Sequence, residues 1–221
     1  MFRINRISLW IKIFRLRWVR LFPERLLSQI YIERPSIIRD QIDSFGKTFS
    51  SAFYLLRFAK NNFAKQLNLK NYSFVLTEGA HYVKRWDQKV YCDAFYNLIF
   101  IKFRRNLRNF LAAEDHPLAV ISFDIGSNQS ILIRQIQGVK NEQEQLRMFR
   151  WEKMLIQILI DFARENKMES VKIIAASESR WFDRCNGRKA ESFHLRYNVT
   201  PERMGFKLNE FKTYRVLNLN S

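Results

Sequence analysis

Residues 131–146 read ILIRQIQGVKNEQEQL, and the order of events within them decides the fold. Apolar and polar residues alternate through Ile131–Gln137, the period of a strand. Gly138 ends the alternation, and the polar run Lys140-Asn141-Glu142-Gln143-Glu144 follows. A long helix then carries Leu146, Phe149, Ile156, Leu159, Ile160 and Ala163 on its apolar side. A strand that passes through a glycine turn into a helix leaves the first helical N–H groups without backbone acceptors. Those donors and the helix dipole suit an anion. Glu142 and Glu144 suit the same helix start without any ligand, so both readings of the turn stand.

Working outward, Leu118–Ile125 reads as a strand and Gly126-Ser127-Asn128 as the turn that joins it to Ile131–Gln137 in a hairpin. Beyond the long helix, Asn166-Lys167 marks a turn and Val171–Ala176 another strand. A basic, polar insertion spans Ser177–Arg196, a short helix lies near Pro201–Met204, and Tyr214–Leu219 forms a final strand. Upstream, Ser50–Leu67 is helical, with Phe53, Leu56, Phe63 and Leu67. Tyr72–Leu76 alternates like a strand, Thr77-Glu78-Gly79 turns, and His81–Tyr91 holds a second strand pair. Asp93–Ala113 reads as a long apolar and basic helix closed by Asp115-His116-Pro117. The fold class expected is α+β: a mixed, mainly antiparallel sheet flanked by helices. Residues 1–40 form a basic helical extension and linker, and 41–221 the α+β domain.

The extension is amphipathic. Ile4, Ile7, Ile11, Phe14, Trp18 and Leu21 recur at helical spacing, Arg3, Arg6, Lys12, Arg15, Arg17 and Arg20 fill much of the rest, and Pro23 stops the pattern. Three uses fit it: packing on the protein or a second copy, lying on an anionic membrane with Trp10 and Trp18 at headgroup level, or binding nucleic acid.

Composition narrows the classes. Apolar residues make up 47% of the chain and glycine and proline are scarce, which excludes a disordered protein. A net charge of +17 favours polyanions: nucleic acid, an anionic membrane surface, or a phosphate-bearing cofactor. The segment with Lys102, Arg104, Arg105 and Arg108 adds to the basic surface, as a solvated face or an anion site. Cys92 and Cys185 form no CxxC pair and His81, His116 and His194 are scattered, so neither a disulfide framework nor a metal site is expected. A reducing cytoplasm fits, with peripheral membrane association if the extension is a membrane helix. No apolar run approaches the roughly 20 residues of a membrane span.

Two short sequences carry a resemblance. Gln135-Ile136-Gln137-Gly138 is similar to the start of the Q/R-x-x-G-x-G/A loop of GNAT-type N-acetyltransferases, and Arg203-Met204-Gly205-Phe206-Lys207 resembles their Gly-Phe segment before the last strands. Their second half has the same order: hairpin, glycine turn, long helix, strand, short helix, Gly-Phe, strand. The resemblance covers about residues 118–221. It implies an acyl-CoA-dependent N-acyltransferase using acetyl-CoA or another acyl-CoA and no metal. Gln137, Gly138, Val139 and Lys140 would cradle the pyrophosphate, and the edge from Ile133 through Gln135 to Gln137 would pair with the pantetheine arm.

Lys140 stands where the family has a second glycine or alanine, and Pro201 where many members have the tyrosine that protonates the leaving thiolate. The resemblance leaves Tyr197 as the substitute acid and Asp124 and Glu78 as candidate bases. The alternative is a non-catalytic GNAT-like basic module that binds nucleic acid or an anionic membrane. A transferase predicts that the strands around Ile133–Gln137 and Val171–Ala176 splay and open a groove; a polyanion binder predicts a contiguous Lys/Arg surface.

Overall fold

The computed structural model describes residues 50–60, 63, 67–78, 94–104, 114–126, 129–179, 182 and 188–219. The proposed N-terminal amphipathic helix, the His81–Tyr91 strands, Arg105 and Arg108 lie outside them.

Helix α1, Ser51–Phe58, starts at Ser50, whose Oγ accepts the N–H of Phe53 at 3.4 Å. Four strands follow: β1 (Tyr72–Glu78), β2 (Tyr96–Arg104), β3 (Glu114–Gly126) and β4 (Ser130–Gly138). Then come a short helix α2 (Gln143–Arg147), the long helix α3 (Trp151–Glu165) and β5 (Ser170–Ile174). Helix α4 (Arg188–His194) runs through a π-helical turn, Leu195–Val199, into the short α5 (Thr200–Glu202). The strands β6 (Lys207–Leu208) and β7 (Tyr214–Asn218) close the chain. Among the described residues seven strands form one sheet in the order β1-β2-β3-β4-β5-β7-β6, and of their pairs only β4–β5 is parallel. The protein is therefore α+β, with a mostly antiparallel open sheet.

Several elements differ from the sequence expectation: α1 ends at Phe58 within the Ser50–Leu67 segment expected as a helix, and Asp115-His116-Pro117, expected to close a segment, lies inside β3 paired with β2. Asp93–Ala113 was expected as a helix, yet Tyr96–Arg104 is a central strand between β1 and β3. Tyr96, Leu98 and Phe100 face the main core, while Ile99 and Ile101 enter a smaller core on the opposite face. A strand buried on both faces reads as an unbroken apolar run, which mimics a buried helix. The single long helix after Gly138 is also interrupted. Phe149 bridges to Ala59, Lys60 donates to the Met148 carbonyl at 2.9 Å, and Arg150 donates to that of Phe58 at 2.8 Å. The exit of α1 thus draws the chain out between α2 and α3. The C-terminal part of the expected polar insertion, from Arg188, is helical, with Phe193 stacked on Tyr197 at 4.5 Å.

Helix α3 lies on the sheet, burying Met154, Leu155, Ile158 and Phe162. Tyr54 of α1 donates to Asp161 of α3 at 3.0 Å; burial pushes that phenol far up, and the Asp161 charge adds to it. Phe100, fully buried, contacts the rings of Tyr72, Phe74 and Phe149 at 5.1–5.8 Å between centroids. At the other end, Gly205 has φ +91°, which favours glycine, and lets the Phe206 N–H return to the Pro201 carbonyl at 3.1 Å. Phe206 is thereby sunk into the core.

Replacing Phe100 with alanine is expected to cost about 3–5 kcal/mol of unfolding free energy. Phe211→Ala, on a side chain 82% exposed, should stay within about 0.5 kcal/mol of the parent. Urea titration followed by circular dichroism distinguishes the two.

Candidate functional site

The parallel pairing of β4 with β5 runs from Ser130–Ser170 to Ile133–Ile173 and stops. β4 continues to Gly138, still paired with β3 as far as Ala119. From Arg134 onward it has a strand neighbour on one side only. The cause lies in the register with β3: Ser122 faces Gln135 and Phe123 faces Ile133, so Arg134 is an extra residue in β4. A bulge bends the strand that contains it. The bend falls where β5 is lost.

The π-helical turn fills this parting. The Ile136 N–H donates to the hydroxyl of Tyr197 at 2.7 Å, and Tyr197 is 1% exposed. The next residue, Asn198, accepts from the Ala176 N–H, just past β5, at a long 3.5 Å, and from Arg215 Nε of β7 at 3.3 Å. Consecutive residues of one turn thus touch the backbone on both sides of the gap. π-helical turns recur at functional sites.

The remaining sequence-predicted residues divide. Ile133 is buried in the main core at the last paired position. Gln135 accepts from the Ser122 hydroxyl at 3.2 Å and donates to Gln137 at 2.6 Å, a buried polar chain that stiffens the bent strand. Val139 lies in the smaller core and its N–H donates to the Leu118 carbonyl at 2.8 Å. Lys140 is exposed and opens a 3-10 turn, Lys140–Glu142. Gly138 has a packing reason to be glycine: a Cβ there would meet Leu146 at 2.9 Å and Trp151 at 3.3 Å.

The candidate bases lie elsewhere. One oxygen of Asp124 accepts the Phe95 N–H at 2.9 Å and the other binds Arg134 Nε, so the carboxylate anchors the entry to β2 beside the bulge. Glu78 ends β1 opposite Tyr96, and its side chain is outside the described residues. Lys102 is held inward, donating to Gln145 at 2.8 Å beside the Tyr72 ring. The side chain of Arg104 is outside the described residues.

No protein-family model matches this chain, and no curated protein matches its sequence. Among the described residues, no helix is long and apolar enough to cross a membrane.

Sequence reasoning missed a charged cluster beside the parting. Arg196 lies over the Trp151 ring at 5.4 Å, and its Nε is 3.9 Å from the Glu152 carboxylate. That separation is too long for a hydrogen bond, and among the described residues the buried Nε–H has no acceptor. Leaving such a donor unmade costs on the order of 1–3 kcal/mol. Burial raises the Glu152 carboxyl above its ordinary value, and Arg196 and Lys60 offset this only in part. No spacing rule links residues 151, 152 and 196; only α3 packed beside the π-helical turn brings them together.

A carboxyl whose folded-state pKa is raised favours folding while protonated, and that contribution is lost as pH rises through the raised value. Glu152→Gln should therefore gain melting temperature relative to the parent on going from pH 4 to pH 8. Paired thermal melts check the sign; a gain that shrinks with rising pH contradicts it.

Proposed function

We propose that the protein is an acyl-CoA-dependent N-acyltransferase with a GNAT-like fold, whose thioester arm lies along β4 from Arg134 to Gly138. The observation that carries this reading is the parting of two parallel strands after Ile133 and Ile173, beyond which β4 has no strand partner on that side and Ile136 bonds to a side chain, Tyr197. The element order supports it: hairpin β3–β4, turn at Gly138, α3, β5, then α5, Gly205-Phe206 and β7.

The chemistry follows from the edge. Ile136 presents an N–H away from β3, and within the chain its acceptor is the Tyr197 oxygen. A carbonyl of the pantetheine arm or the thioester offers an equivalent acceptor, and a backbone N–H aimed at such an oxygen stabilises the charge that develops there. The acceptor amine attacks the carbonyl carbon, the C–N bond forms and the C–S bond breaks. The departing thiolate takes the phenolic proton of Tyr197, and the proton shed by the amine restores the phenol. Tyr197 is the acid in this scheme because its hydroxyl meets the β4 backbone at Ile136, where β5 has left.

The other reading, a non-catalytic basic module on nucleic acid or an anionic membrane, draws on two facts. Tyr197 already fills the parting, and a net charge of +17 exceeds what one cofactor requires. Lys102 contributes little to such a surface, being tied to Gln145.

Calorimetric titration with acetyl-CoA and with free coenzyme A at moderate salt tests the choice. Saturable binding of both is expected, with Tyr197→Phe binding a few-fold more tightly because the phenol no longer competes for Ile136. Absence of binding to either sinks the transferase and leaves the basic module, whose affinity for polyanions falls steeply with salt.

A further inference from the structure

Arg196 does not belong to the polar chain on β4, yet it stands one residue before Tyr197 on the same π-helical turn. Its guanidinium lies over the face of Trp151, 5.4 Å from the ring centre. Trp151 is also the residue a Cβ on Gly138 would strike, so the indole spans from the end of β4 to Arg196. We propose that Arg196 takes the anionic, phosphate-bearing end of the ligand, with Glu152 as the internal anion that the phosphate displaces.

Three observations carry the assignment. Arg196 Nε is buried without a hydrogen-bond acceptor among the described residues, which leaves a donor for a ligand. Its ionic partner among those residues, Glu152, stands at 3.9 Å, outside hydrogen-bond range. The guanidinium lies over the indole, 5.4 Å from its centre, and a planar fork suits phosphate better than a mobile ammonium. The side chain keeps 25% of its surface exposed, which leaves a route for an incoming anion.

Both places lie on the same strand, β4. Tyr197 marks the acyl end at Ile136, while Arg196 and Trp151 mark the exit of β4 at Gly138. The proposed function supplies the ligand class on which this inference rests. It transfers the phosphate-reading task from the glycine loop, where Lys140 replaces a small residue, to a side chain on the opposite wall.

The test is a pair of substitutions in the full chain, titrated with coenzyme A. Arg196→Gln should weaken binding about tenfold or more, the scale of a lost charge-assisted contact. Glu152→Gln should tighten it a few-fold by removing the competing anion. Inorganic pyrophosphate should displace coenzyme A from the parent, and about tenfold more should be needed with Arg196→Lys, which keeps the charge but loses the fork. Opposite signs for the first two variants are the signature. If both weaken binding, the pair is only a structural brace, and if neither changes it, Arg196 reads no phosphate; each result overturns the proposal. A parent protein that binds no coenzyme A removes the transferase reading and this inference with it, whereas tight parental binding unchanged in Arg196→Gln removes this inference alone. Should Arg196→Gln fail to melt cooperatively, Glu152→Gln and Arg196→Lys still decide the question.

Discussion

A backbone N–H inside a sheet must find an acceptor, and at Ile136 the acceptor is the phenolic oxygen of Tyr197, 2.7 Å away. That bond stands where a neighbouring strand would otherwise be. The extra residue Arg134 bends β4, β5 leaves after Ile173, and the π-helical turn supplies the acceptor that a neighbouring strand would have offered. Without the phenolic oxygen the Ile136 N–H would lose its acceptor in the interior.

The turn is held from several sides. Tyr197 stacks on Phe193, Asn198 contacts the backbone after β5 and the β7 arginine, and Arg196 lies on the first residue of α3. One segment therefore touches β4, β5, β7 and α3, around the gap between the two parallel strands. Stability and the candidate site share these contacts, so an occupant of the gap must exchange hydrogen bonds with the protein.

How much of this was legible beforehand depended on the range of the signal. The β3–β4 hairpin, the turn at Gly138, β5 and β7 follow from local alternation and turn residues, although β3 begins four residues earlier, at Glu114, and β5 ends at Ile174. β2 was misread because burial on both faces erases the alternation that marks a strand. The break before α3 comes from Phe149 pairing with Ala59, a contact between segments distant in sequence that no helical period records. Tyr197 was a candidate by position, but its bond to Ile136 depends on a π-helical turn that shifts the ring relative to a regular helix. Gly138 was expected to make room for a phosphate, and the packing of Leu146 and Trp151 already explains it. Arg196, Trp151 and Glu152 were invisible for the same reason as the break: they meet only in three dimensions.

The central claim is that the open edge of β4, and not a diffuse basic surface, receives the ligand. Backbone amide spectra of isotopically labelled protein, recorded while acetyl-CoA is added, address it at single-residue resolution. The account predicts that the Ile136 amide shifts most, with Gln137 and Gly138, and that Ile131 on the paired part of the same strand stays in place. Shifts confined to Lys and Arg residues away from β4, or an Ile136 amide unmoved at saturation, would contradict it.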